Sequence, residues 1–186
     1  MRTRLLVLIP ASLALVLASC GGSSKAASPT TTVGSTVHVA KVASNVPSVS
    51  AKMICETEAV NDIYDSATGV KTIAALKPTW VNHVYSCAYM YPAGASMTLS
   101  VKEVSDTAET TAYFDSLATK LQKTRTLTIG QGAFQVKDGS VVVRKDYKVL
   151  LVDITKLPAN FGVPSASRGD VAINVAETIM SCWSGA

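Results

Sequence analysis

Cysteine, tyrosine, clustered carboxylates and histidine are the residue types here that could carry chemistry; the 186 residues hold 4 Cys, 6 Tyr and 2 His. Tyr85, Tyr89 and Tyr91 share one side of an extended segment with Cys87, while Val84, Ala88 and Met90 take the other. If Cys87 bonds to a neighbouring helix, the tyrosines lie beneath that helix. Their hydroxyls then need polar partners, which water or the polar end of a ligand would supply. Tyr85, Tyr89 and Tyr91 are therefore the candidate ligand cleft, with a plain aromatic core as the bland alternative. Glu58, Asp62 and Asp65 recur at i, i+4 and i+7, the spacing of a solvated helix face. Asp153 follows the apolar run Val149–Val152 and reads as a strand-terminal acid accepting hydrogen bonds from the following loop.

Motifs that would make an enzyme are missing. The chain has no Gly-x-Ser-x-Gly elbow, Cys-x-x-Cys, His-Glu-x-x-His or phosphate loop. His38 lies in a polar stretch and His83 alone in an expected strand, too little for a metal cluster or a histidine triad. Gly130-Gln-Gly132 leads into a strand, where a nucleotide loop must open a helix, so it reads as a turn or bulge. No catalytic residue, metal or cofactor is expected.

The clearest signal is an address. Met1-Arg-Thr-Arg4 is a basic start, Leu5 to Val16 an apolar core too short to span a bilayer, and Leu17-Ala-Ser-Cys20 before Gly21 a small-residue end. These four residues resemble the lipobox of bacterial lipoproteins, which implies diacylglycerol on the Cys20 sulfur, cleavage after residue 19 and further acylation by a chain such as palmitate. Each buried CH₂ of such a chain contributes about 0.8 kcal/mol, so two or three chains keep a protein on its membrane. An ordinary secretory leader would instead leave Cys20 as an exposed thiol.

Export to an oxidising compartment favours a disulfide among Cys55, Cys87 and Cys182, which allow three single pairings. Cys55 with Cys87 is favoured, because it staples the first helix to the adjacent strand; the loop-entropy model gives about 3–4 kcal/mol for such a loop. Cys182, beside Trp183, would then be a buried free thiol.

The formal net charge is +4, and loss of Arg2 and Arg4 with the leader leaves +2. This near-neutrality, with basic runs confined to element ends, argues against nucleic acid as a partner. Residues 20–49 are rich in Ser, Thr, Gly and Ala and read as a flexible tether, with a short strand conceivable at Val37–Val42.

From residue 50 to residue 186 the pattern predicts a single α+β domain. Ser50 opens a helix to about Thr68, stopped by Gly69, with Met53, Val60, Ile63, Tyr64 and Ala67 inward. Trp80–Tyr91 reads as a strand, Pro92-Ala-Gly94 as its turn, and Ser96–Val104 as the returning strand with Met97, Leu99 and Val101 alternating against polar residues. Asp106 and Glu109 cap a helix to about Lys123. Three short strands follow: Thr126–Ile129 or Ala133–Lys137, then Ser140–Arg144, then Tyr147–Ile154, with turns at Asp138-Gly139 and Lys145-Asp146. Pro158–Pro164 is loop, and a last helix runs from about Ser167 to Cys182 with Gly185 near its end. The order is α-β-β-α-β-β-β-α: an antiparallel sheet of about five strands with three helices packed on it.

Three features carry a resemblance over roughly Ser50 to the C-terminus: the helix opening with Cys55, the Tyr85-Ser-Cys-Ala-Tyr89 strand, and the Gly130-Gln-Gly-Ala133 bend before two hairpin-linked strands. In these the chain resembles small actinobacterial lipoproteins of the mycobacterial Lpq and Lpp kind, including a family of unknown function. The resemblance implies a PsbP-like α/β sandwich and an envelope location, and brings no activity with it. The Ala-, Val- and Thr-rich composition also points to a high-GC actinobacterium, where the plasma membrane is the usual anchor. The expectation is a non-enzymatic extracytoplasmic lipoprotein, lipid-anchored at the cell membrane, that binds an envelope protein or a small apolar molecule. Its rivals are an envelope-processing hydrolase without a local motif and a structural subunit of an envelope complex.

Overall fold

Val141, Val142 and Val143 are consecutive and each fully buried, which requires a strand covered on both faces. The computed structural model describes residues 44–183. The leader, Cys20, the tether as far as residue 43, the Val37–Val42 segment and Gly185 lie outside the described residues.

The fold is α+β. Seven antiparallel strands run in the order β1-β2-β3-β7-β6-β5-β4: β1 Thr79–Val81, β2 Val84–Met90, β3 Ser96–Glu103, β4 Lys123–Leu127, β5 Gly132–Val136, β6 Val141–Lys145 and β7 Lys148–Asp153. A separate two-stranded ribbon pairs β8 Asn160–Phe161 with β9 Ala166–Ser167. Four α-helices complete the chain: α1 Val49–Lys52, α2 Thr57–Ile63, α3 Thr107–Lys120 and α4 Arg168–Cys182. On one sheet face Cys87, Leu99, Val152 and Val141 form a register row beneath residues of α1, α2 and α4. On the other, Phe134, Val142 and Val149 pack with Leu117 of α3.

Seven strands replace the expected five, and four α-helices the expected three. The long first helix breaks at Glu56, whose backbone is extended at φ −80° and ψ 158°. A continuous helix would use the Ile54 carbonyl for the amide of Glu58; here that carbonyl accepts from the Tyr89 hydroxyl instead. A 3₁₀ turn, Met53–Cys55, and a π turn, Tyr64–Thr68, flank α2, and Gly69 ends the run at φ 60°. Ser48 rather than Ser50 caps its start, accepting from the Ala51 amide at 3.2 Å.

The expected strand Trp80–Tyr91 is two strands joined by Asn82 and His83, at φ 50° and 58°. Two residues with positive φ make the tight hairpin turn that matches strand twist. His83 is therefore in a turn and not a strand. Of the two segments offered as alternatives after α3, Ala133–Lys137 falls on β5, while β4 lies earlier than Thr126–Ile129 and shares only Thr126 and Leu127 with it. The last hairpin turns at Asp146-Tyr147, one residue beyond the expected Lys145-Asp146, because Lys145 pairs with Lys148. The Pro158–Pro164 loop contains β8. The end of the expected tether is held to the domain, since the Asn45 carbonyl accepts from Trp80 Nε1 at 2.9 Å.

Several expectations hold closely. Asp106 caps α3 at 2.7 Å from the Glu109 amide. Asp153 Oδ1 accepts from the Thr155 amide at 2.9 Å, as a strand-terminal acid should. Val171, Val175 and Ile179 of α4 are buried against the sheet. Among the described residues no helix is long and apolar enough to cross a membrane.

Candidate functional site

β2 presents its tyrosines to the helical layer because alternate residues of a strand share a face, and Cys87 belongs to the same set. Cys55 closes the first 3₁₀ turn and lies at disulfide distance from Cys87, with Cα atoms 6.0 Å apart, within the usual range for such a bridge. The link brings the chain that becomes α2 down over β2, and Tyr89 completes the tie by donating to the Ile54 carbonyl oxygen at 2.5 Å.

Between these elements is a pocket of about 200 Å³. Val60 and Ile63 of α2 form its apolar wall, the Tyr64–Thr68 turn one end, Val70 and Lys71 its mouth, and Tyr89 and Tyr91 the side toward the sheet. Asn61 and Thr72 add an amide and a hydroxyl. The Lys71 ammonium lies 5.4 Å from the centre of the Tyr64 ring, a cation–π distance.

Two of the three expected tyrosines meet there. Tyr85 does not line the pocket; it stands two residues before Cys87, opposite Trp80 of β1, and is partly exposed. Tyr89 and Tyr91 are almost wholly buried, and burial pushes both phenols well above their ordinary pKa. Both therefore stay neutral hydroxyls at any physiological pH. Tyr91 also packs its ring against Phe161, with centroids 4.9 Å apart.

The Tyr91 hydroxyl has no hydrogen-bond partner among the described residues. The Thr68 hydroxyl is near enough to offset part of the rise in its pKa. However, Thr68 Oγ1 is already engaged with the Ile63 carbonyl at 3.3 Å and the Val70 amide at 3.3 Å, and the two hydroxyls are not disposed for a bond. An unpaired buried hydroxyl costs about 1–3 kcal/mol, and Tyr91 shares this state with Trp183 Nε1 and Asp146 Oδ2 among the described residues.

The remaining candidates are structural or separate from this pocket. Glu58 and Asp65 are exposed, and Asp62 Oδ2 lies 3.5 Å from Cys182 Sγ. Cys182 is partly exposed and is not a free cysteine, which corrects the expectation of a buried free thiol. The His83 ring lies 3.1 Å from the Ser44 carbonyl through Nδ1 and edge-on to Trp80. The Gly130-Gln-Gly132 bend is a turn, with the Gln131 amide on the Arg144 carbonyl at 2.8 Å. Among the described residues no group of three metal-ligating side chains is present.

Sequence reasoning missed Lys71, Val70 and Thr68. The one hint was Gly69: a helix stop turns the chain back, so the residues after it cross the end of the helix they follow. No protein-family model, curated protein or solved structure matches the chain.

Proposed function

We propose that this chain is a non-enzymatic binding module of the bacterial cell envelope, held on the extracytoplasmic face of the membrane by lipid on Cys20. The observation that supports the reading is the pocket beneath α2, where an apolar wall meets Tyr89, the unpaired hydroxyl of Tyr91 and the ammonium of Lys71. A mostly apolar concavity with a few converging polar groups is the usual form of a small-ligand site. At about 200 Å³ it lies below the roughly 300–1,000 Å³ of drug-sized sites, so the ligand is small. The disulfide-distance pair ties β2 to the chain leading into α2 on the tyrosine side of the pocket, a crosslink of the kind that favours preorganised binding. The lipobox resemblance of Leu17–Cys20 supports a membrane location for the module.

The test is recovery of ligand. The native lipoprotein is purified from envelope, extracted with solvent and compared by mass spectrometry with a Val60→Trp variant, whose indole fills the pocket. A small molecule present in the parent and lost in the variant is expected. Equal recovery from both, or none from either, removes the pocket as the functional site.

A further inference from the structure

We propose that the pocket beneath α2 takes a small organic anion with a compact apolar body, the size of a monocyclic aromatic carboxylate, with its carboxylate at Lys71. The inference rests on the reading of this pocket as the ligand site.

Charge selects the sign. Lys71 is the ionised side chain in the lining, and no Asp or Glu lines the pocket. Of the other polar groups there, the Asn61 amide and the Thr72 and Tyr91 hydroxyls can donate, while the Tyr89 proton is already given to the Ile54 carbonyl. Lys71 is exposed and rests over the Tyr64 ring, so its ammonium is held at the mouth and is not carried off by an acid in the lining. A cationic ligand would meet that ammonium with no carboxylate in the lining to offset it.

Volume and surface select the body. A dry engineered cavity of about 150 Å³ holds one benzene. A pocket of about 200 Å³ therefore has room for one ring or a branched chain and a carboxylate. Val60, Ile63 and Val70 provide the apolar contact. The Tyr91 hydroxyl, almost wholly buried, meets no hydrogen-bond acceptor among the described residues. An acceptor on the ligand would meet it, and a purely hydrocarbon ligand would leave it unmet.

The test uses the full-length protein in neutral phosphatidylcholine vesicles, with protein-free vesicles as the blank, and reads ¹⁹F line broadening of three probes: para-fluorobenzoate, para-fluorobenzamide and para-fluorobenzylamine. The benzoate should bind, the amide roughly tenfold more weakly and the amine not at all. Lys71→Gln, at an exposed position, should weaken the benzoate roughly tenfold and leave the amide unchanged, the loss of one hydrogen bond to a charged group. If all three probes bind alike, or Lys71→Gln leaves the benzoate unaffected, the anion preference is wrong while the pocket remains a site. If no probe broadens beyond the blank, the proposed ligand class is wrong, and ligand recovery from the native lipoprotein decides separately whether the pocket binds anything.

Discussion

The Tyr89 hydroxyl donates to the Ile54 carbonyl oxygen, while the Tyr91 hydroxyl, two residues on and just past the end of β2, meets no partner among the described residues. The same substitution should thus have opposite consequences at the two positions. Tyr89→Phe leaves a buried carbonyl without its bond and should lower unfolding free energy by about 1–3 kcal/mol. Tyr91→Phe removes a hydroxyl that is already unpaired, and should be within about 0.5 kcal/mol of the parent or more stable. Urea denaturation of both variants checks this; equal losses would mean that Tyr91 has a partner after all.

The same pair shows what was legible in the sequence. Alternation put Tyr89, Tyr91 and Cys87 on one face, and helix periodicity put Val60, Ile63 and Tyr64 inward, so half of the pocket could be read from local pattern. The break at Glu56 could not, because it depends on Ile54 being used by a side chain 35 residues away. The β1–β2 turn escaped because Asn82-His83 lacks the glycine that usually marks such a turn. Strand β4, Lys-Thr-Arg-Thr-Leu, is an exposed edge with no apolar face to alternate, so its start was read as the end of the preceding helix and only Thr126 and Leu127 fell in a segment offered as a strand. Tyr85 packs against the same core cluster as Tyr89 and Tyr91 but does not line the pocket, because a shared face does not fix how far along the strand the covering helix extends.

The Cys55–Cys87 pair spans 32 residues, for which the loop-entropy model gives about 3–4 kcal/mol. Peptide mapping without reduction should recover these two cysteines in one crosslinked peptide. The double substitution Cys55→Ala with Cys87→Ala should lower stability by about that amount. A peptide joining Cys182 to either of them would overturn the assignment.

Glu109 secures the start of α3 by accepting from the Ser105 hydroxyl at 2.6 Å and the Ser105 amide at 2.9 Å. The hydroxyl bond first, then the amide bond and the charges of Lys102 and His83, hold its carboxyl below the ordinary range. A folded pKa below the unfolded one gives stability that is present above the unfolded value and lost as pH falls through the folded value. Glu109→Gln should thus be less stable than the parent at neutral pH, with the gap closing as acid is added below about pH 4. The exposed site makes this effect small. Asp106→Ala, which removes the N-cap itself, should cost about 1 kcal/mol at neutral pH, measured by thermal melts.

The lipid anchor rests on Leu17-Ala-Ser-Cys20 following the apolar leader. Cys20→Ala should abolish metabolic labelling by a fatty-acid analogue and release the protein from the membrane fraction. A sulfur bonded to diacylglycerol cannot also join a disulfide. Mapping that finds Cys20 crosslinked to another cysteine would therefore sink the anchor as surely as label that persists in the variant.

Gly69 ties the pocket to the loop beyond β8, and its substitution should disturb stability and binding together. Its φ of 60° lies in the left-handed region, where a residue with a Cβ loses about 1–2 kcal/mol. An alanine there would also drive its Cβ into the Val163 carbonyl oxygen, which cannot give way as a flexible side chain would. The strand of chain that must move carries the Val163 amide, bonded to the Thr68 carbonyl at 2.8 Å, and Thr68 is the pocket's end wall. Gly94 is the control: its φ is 76°, but an added Cβ would meet nothing within 4 Å. Gly94→Ala should show the conformational loss alone and bind para-fluorobenzoate like the parent. Gly69→Ala should lose at least about 1 kcal/mol more, the cost of the collision added to the same backbone term, and bind the probe more weakly. If the two variants melt and bind alike, the Gly69–Val163 approach does not shape the pocket.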